Sequence, residues 1–220
     1  MSGAGFLYPF LTGAERDPAA LLADLAASAR AKTRESAALQ RRTLAANAGT
    51  IARAGAAMAA RFAAGGRLLV FGNGGSSTDA ATFAGLFTDP VAGPPRPAIN
   101  LAADQAVVTA LGNDVGFDLV FSRQIAAYAA PDDIAVAFST SGNSADLMAG
   151  LREARDRGLL TIGFAGYGGG EMAASPAVEH CLAVGSQSVH RIQESQALLG
   201  YHLWAAATGG PDRKEPADGR

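Results

Sequence analysis

Five short apolar runs recur along the chain, each closed by glycine or small polar residues: "RLLVFG" (67–72), "PAINLA" (97–102), "DIAVAFS" (133–139), "LLTIGFAG" (159–166) and a last one over 178–184. Each is followed by a stretch of helix formers, at about 79–87, 105–111, 144–157, 171–174 and 191–207. Continuous apolar runs of this length, bounded by turns, predict strands buried on both faces. Their alternation with helices predicts a parallel order, which crossover connections supply. The expected fold is α/β, a doubly wound sheet of five parallel strands.

Upstream, Pro18 to about Ala64 holds Ala, Leu, Arg, Gln and Met with almost no breakers, which predicts one long helix or two consecutive ones. Its apolar positions are mostly alanine. Such side chains bury little area each, so this segment is expected to pack in a subunit interface. The organisation that follows is an N-terminal helical segment at 1–64, an α/β domain at 65–208, and a tail at 209–220. The tail, "GGPDRKEPADGR", lacks core-forming residues and is expected to be disordered.

Charge narrows the choice of partners. The chain of 220 residues carries 18 Lys+Arg against 20 Asp+Glu, a net charge of -2. That balance argues against the broad basic surface of a direct nucleic-acid binder. The single cysteine, Cys181 in "HCLAVG", reads as a small core residue and fits a reducing cytoplasm. No apolar run approaches the ~18 residues of a membrane span. The N-terminal "MSGAGFLYPFLTGAERD" lacks the positive flank and apolar core of a secretory signal, so a soluble, cytoplasmic protein is expected.

Two segments carry the candidate chemistry, "VFGNGGSSTD" (70–79) and "FSTSGNSAD" (138–146). Each ends an apolar run and enters a helix, so both stand at carboxyl ends of strands, where open parallel sheets bind ligands. In the first, Gly74 and Gly75 allow close backbone approach to an anion and Ser76 and Ser77 add hydroxyls. A helix expected from near Asp79 turns its positive end toward them. In the second, Ser139, Thr140 and Ser141 precede Gly142, and Ser144 is placed to cap the next helix. Hydroxyls and amides without a nearby lysine suit a phosphate monoester better than a nucleoside triphosphate with Mg²⁺. The Walker lysine pattern and the Rossmann glycine fingerprint are both missing. Either loop alone is also an ordinary turn or cap. Two at equivalent sheet positions favour an anion site.

Together with "LGNDVGFDLVFSRQI" (111–125), "GYGGGEMA" (166–173) and "RIQESQALLGYHLW" (191–204), these loops resemble the sugar isomerase (SIS) domain over about residues 30–207, and within it the phosphoheptose isomerases. The resemblance implies a homotetramer with a flavodoxin-like five-stranded sheet and sites between subunits. It implies conversion of D-sedoheptulose 7-phosphate to a heptose 7-phosphate by proton transfer between C1 and C2. By the same resemblance Ser76, Ser139, Thr140, Ser141 and Ser144 hold the phosphate, and Asn73, Gly74, Asp114 and Gln193 line the sugar site.

The departures from that pattern bear on chemistry. Where the family usually reads like "HFAEEL", this chain reads "TFAGLF" (82–87), with Thr82 in place of a histidine and Leu86 in place of a glutamate. Eight residues after Gln193, where the family has a second histidine, stands Tyr201. His202 is next to it, but one residue is about 100° around a helix. Aldose–ketose isomerisation needs a base for the carbon-bound proton and an acid at the carbonyl oxygen, each contributing typically about 10²- to 10⁴-fold. The zinc that some members hold with these side chains would here keep only Gln193, where about four ligands are needed, so neither zinc nor another cofactor is expected.

Candidates for a relocated base are His190, immediately before "RIQE", and Glu194. Their alternative is to flank and cap the last helix. Three readings stay open: an isomerase with a relocated base, a subunit completed by a paralogue, and a non-catalytic sugar-phosphate sensor or scaffold, of the kind one relative forms with the replication initiator protein. A protein partner is left unspecified.

Overall fold

The computed structural model describes residues 17–210, so residues 1–16 and all but the first two residues of the expected tail lie outside it. The described residues divide into two compact units between Ala38 and Leu39. The segment expected as one helix or two is a single one, α1 (Pro18–Ala63). Asp17 caps it by accepting a bond from the Ala20 N–H at 3.0 Å, and Pro18 follows at the first helical position, where its missing N–H costs nothing. Within the first unit Leu21, Leu22 and Leu25 are exposed.

The second unit runs β1 (Leu68–Gly72), α2 (Gly75–Thr88), β2 (Ala98–Asn100), α3 (Gln105–Asp114), a 3-10 turn (Phe117–Leu119), α4 (Val120–Tyr128), β3 (Ile134–Phe138), α5 (Ala145–Asp156), β4 (Leu160–Ala165), α6 (Gly170–Ala174), β5 (His180–Ala183) and α7 (Val189–Thr208). The strands form one all-parallel sheet in the order β2-β1-β3-β4-β5, the flavodoxin-like order of a doubly wound fold.

Side-chain alternation splits the core into two layers. Leu68, Val70, Ile134, Val136, Phe138, Ile162 and Phe164 face one side, packed with Met58 and Phe62 of α1, Phe83 and Phe87 of α2, and Leu199 and Trp204 of α7. Leu69, Phe71, Ala135 and Ala137 face the other, packed with Phe121 and Ile125 of α4 and Leu147 and Leu151 of α5.

Two features differ from the sequence expectation. α2 begins at Gly75 rather than near Asp79, because its first turn is made of small residues that carry no apolar period. The 3-10 turn and α4 were not expected. Their aromatic and β-branched residues are weak helix formers, and the helix is held by tertiary packing of Val120, Phe121 and Ile125.

Candidate functional site

Gly72 at the end of β1 pairs in register with Phe138 at the end of β3. The two loops therefore leave the sheet side by side, at the point where the strand order reverses. The first loop turns at once into α2. Gly74, at φ 52°, is its N-cap, and the Ser76 and Ser77 amides are already spent on the carbonyls of Asn73 and Gly74, at 2.9 and 3.0 Å. The amides of Gly74 and Gly75 stand at N-cap and first-turn positions, where a helix provides no partner.

The second loop is organised by its own hydroxyls. Ser139, 4% exposed, accepts a bond from the Gly142 N–H at 2.9 Å, and Ser141 accepts one from the Asn143 N–H at 3.2 Å. Gly142 adopts φ 71°, and a Cβ there would lie 2.3 Å from the Gly169 carbonyl oxygen, so only glycine closes this turn. Ser144 occupies the N-cap position of α5 as expected, but its side chain makes no cap bond and lines the cleft instead.

Asn73, Ser76, Ser139, Thr140, Ser141 and Ser144 line one cleft of about 90 Å³ together with Phe138 and Leu147. A bound water needs about 10–15 Å³ by this measure, so the cleft admits a small polyatomic anion. No lysine or arginine lines it. The two loops are tied across it by a bond from Asn73 Nδ2 to the Asp146 carboxylate at 2.8 Å. Asp146, 4% exposed, sits in the first turn of α5, where the helix dipole favours a carboxylate.

A second recess, also about 90 Å³, opens beside the cleft between α2 and α7, with Phe138 shared between the two. Asp79, Thr82, Leu86, Phe83 and Gln196 are among its walls. Gln193 Nε2 donates to Asp79 Oδ2 at 3.0 Å, and Gln196 Nε2 donates to the Ser139 carbonyl at 2.8 Å. α7 is thereby fastened to both loops. Burial pushes the Asp79 carboxyl up from its ordinary range, and the bond from Gln193 acts in the opposite direction.

Thr82 and Leu86, the substituted positions, both line this recess, whereas Tyr201 lies beside His202 and Trp204 and lines neither hollow. Gln193 reaches the first loop: a Cβ on Gly75 would meet its Nε2 at 2.6 Å. The remaining expected residues lie elsewhere. Asp114 is exposed at the end of α3, where Asn113 Nδ2 donates to it at 2.8 Å, and His190 and Glu194 are exposed on the first turns of α7. Asp146, Gln196 and Asp79 were not singled out from the sequence. Only Asp79 left a usable trace there, at helical spacing between Ser76 and Thr82.

The zinc site implied by the resemblance does not fit these residues. Threonine and leucine replace two ligands, Gln193 is committed to Asp79, and no group of three His, Cys, Asp or Glu side chains able to hold a metal occurs among the described residues. Cys181 is half-buried in β5, its thiol pushed up to about 11 by burial, and it lines neither hollow.

A parallel sheet whose reversal point is flanked by two small-residue loops around a hydroxyl-lined cleft has the layout of the α/β proteins that bind ligands at their strand ends. The chain belongs to the SIS domain family, whose model matches residues 33–166. It is 45% identical over 148 residues to a phosphoheptose isomerase from Solidesulfovibrio magneticus, covering 66% of this chain and 71% of that one. It is 38% identical over 171 residues to the phosphoheptose isomerase of Nitratidesulfovibrio vulgaris, covering 77% and 81%. The structure of a phosphoheptose isomerase from Neisseria gonorrhoeae superposes with a TM-score of 0.78 at 32% identity, covering 84% of this chain and 99% of that one.

Proposed function

We propose that this protein binds a sugar phosphate by its phosphate group in the cleft at the ends of β1 and β3, and interconverts its aldose and ketose forms. The observation that carries this reading is the convergence of five hydroxyl side chains, from Ser76, Ser139, Thr140, Ser141 and Ser144, on one cleft without lysine. Hydroxyl and amide donors match the three oxygens of a phosphate monoester. Similarity to phosphoheptose isomerases supports a seven-carbon sugar phosphate as the ligand to try first.

Assembly into a homotetramer is part of the same reading. The exposed Leu21, Leu22 and Leu25 on α1 support it, because an alanine-rich helix gains most of its stability from packing against another surface. A cytoplasmic setting agrees with a single thiol and with the lack of any membrane-crossing helix among the described residues. The test is titration of the protein with D-sedoheptulose 7-phosphate, followed by calorimetry and ³¹P NMR. Saturable binding that is lost in Ser141→Leu is expected. Binding that survives that substitution would place the phosphate elsewhere.

A further inference from the structure

The recess contains one carboxyl group, and its position on α2 links the cleft to the substituted positions. Asp79 follows Ser76 by three residues and precedes Thr82 by three. Residues three apart share a helix face, so Asp79 stands about 4.5 Å along the axis from the serine that lines the cleft and from the threonine that replaces the family's histidine. Asp79, Thr82 and Leu86 border the same hollow, and Phe138 lines both hollows. A ligand whose phosphate rests against Ser76 and Ser139 would have the recess that holds Asp79 next to it.

The carboxyl is held for use. Gln193 donates to Oδ2 at 3.0 Å, which fixes the orientation of the carboxyl at the wall of the recess. Among the described residues, Asp79 is the only titratable side chain lining the recess, and His190 and Glu194 line neither hollow. We propose that Asp79 is the proton-transfer group of this site, doing the work that a histidine and a glutamate do elsewhere in the family. The inference rests on the sugar-phosphate reading above.

In the ketose-to-aldose direction, Asp79 takes the proton from C1, and the electron pair of that C–H bond becomes the C1=C2 double bond of an enediol. The C2 carbonyl oxygen accepts a proton from water. Asp79 then returns its proton to C2 while the O1 hydroxyl loses its own to water, which leaves the C1 aldehyde. Atoms and electrons balance with no other reactant.

The test follows exchange of the C1 protons of D-sedoheptulose 7-phosphate in D₂O by proton NMR, with ³¹P line broadening as the measure of binding, in the unmodified protein, Asp79→Asn and Asp79→Glu. Asp79→Asn preserves the bond from Gln193 and the volume. It is expected to bind the sugar within a few-fold while losing exchange by about 10²- to 10⁴-fold, and Asp79→Glu to retain part of it. Unchanged exchange in Asp79→Asn overturns the assignment, and so does an unmodified protein that binds the sugar without exchange. An unmodified protein that does not bind the sugar brings down the sugar-phosphate reading itself, and the assignment with it.

Discussion

The cleft at the strand ends and the recess beside it share Phe138 but are made of different materials. The cleft is formed by hydroxyls and backbone on two loops whose shape depends on local bonds, the Gly142 amide to Ser139 Oγ and the Asn143 amide to Ser141 Oγ, and on a glycine at φ 71°. The recess is formed by side chains on the outward surface of α2 and α7, where Thr82 is exposed and Leu86 half-buried. Changing a loop residue therefore changes backbone geometry, whereas changing Thr82 or Leu86 leaves the helix intact. The difference teaches how a loop-built cleft can keep its shape in a fold while side chains on the helices beside it are exchanged.

The hardest blow to the cleft is Gly142→Ala. The new Cβ would stand 2.3 Å from the Gly169 carbonyl oxygen, in a left-handed conformation that costs about 1–2 kcal/mol by itself, so the second loop must shift against the turn that follows β4. Sugar-phosphate affinity is expected to fall by about 100-fold or more in calorimetry, with a lower urea midpoint. An unchanged affinity would show that the turn does not shape the site. Next comes Asp146→Ala, which removes the tie from Asn73. A buried hydrogen bond to a charged group contributes about 1.5–3 kcal/mol, so the urea midpoint should drop accordingly and affinity should fall about tenfold. Loss of stability with affinity intact would separate the tie from the site.

The contrast also decides what could be read from the sequence. The sheet was legible because strands buried on both faces appear as unbroken apolar runs, and all five strands lie where those runs fall. The five hydroxyl residues of the cleft were legible because glycine and hydroxyl clusters at strand ends carry their own local signal, whereas Asn73, which lines the same cleft, was expected from the family resemblance at the sugar site. α4 was not, because its aromatic and β-branched residues have a weak helical preference and the helix depends on the core against it. The recess was not either: it depends on α7 lying against α2, a contact between residues more than a hundred positions apart, such as Gln193 with Asp79. His190 and Glu194 were attractive for their residue type, but both are exposed and line neither hollow.

A gain of function probes the recess from the other side. Thr82→His combined with Leu86→Glu places two ligand side chains beside Asp79 on one helix face, at i, i+3 and i+7 spacing. Three protein ligands and a water suffice for zinc. The double variant is expected to retain about one zinc per chain by elemental analysis, and the unmodified protein only traces, with sugar-phosphate affinity within a few-fold in both. Stoichiometric zinc in the unmodified protein would break the contrast between the two hollows.

The smallest effect concerns the free energy of holding Asp79 where it is. Its carboxyl is raised in the fold, so the native state holds the proton more firmly than the unfolded state. Stability is then greatest with the proton on, declines as pH rises from the ordinary aspartate value of about 3.9 through the raised one, and stays lower at neutrality. Asp79→Asn removes that loss while accepting the same bond from Gln193. At neutral pH it should therefore be slightly more stable than the unmodified protein, by tenths of a kcal/mol after allowance for a half-exposed group, and equal to it in acid. Urea midpoints across that range check the sign. A variant less stable at neutral pH would mean that the carboxylate is held for the fold rather than for a ligand, and the recess would join the cleft as architecture.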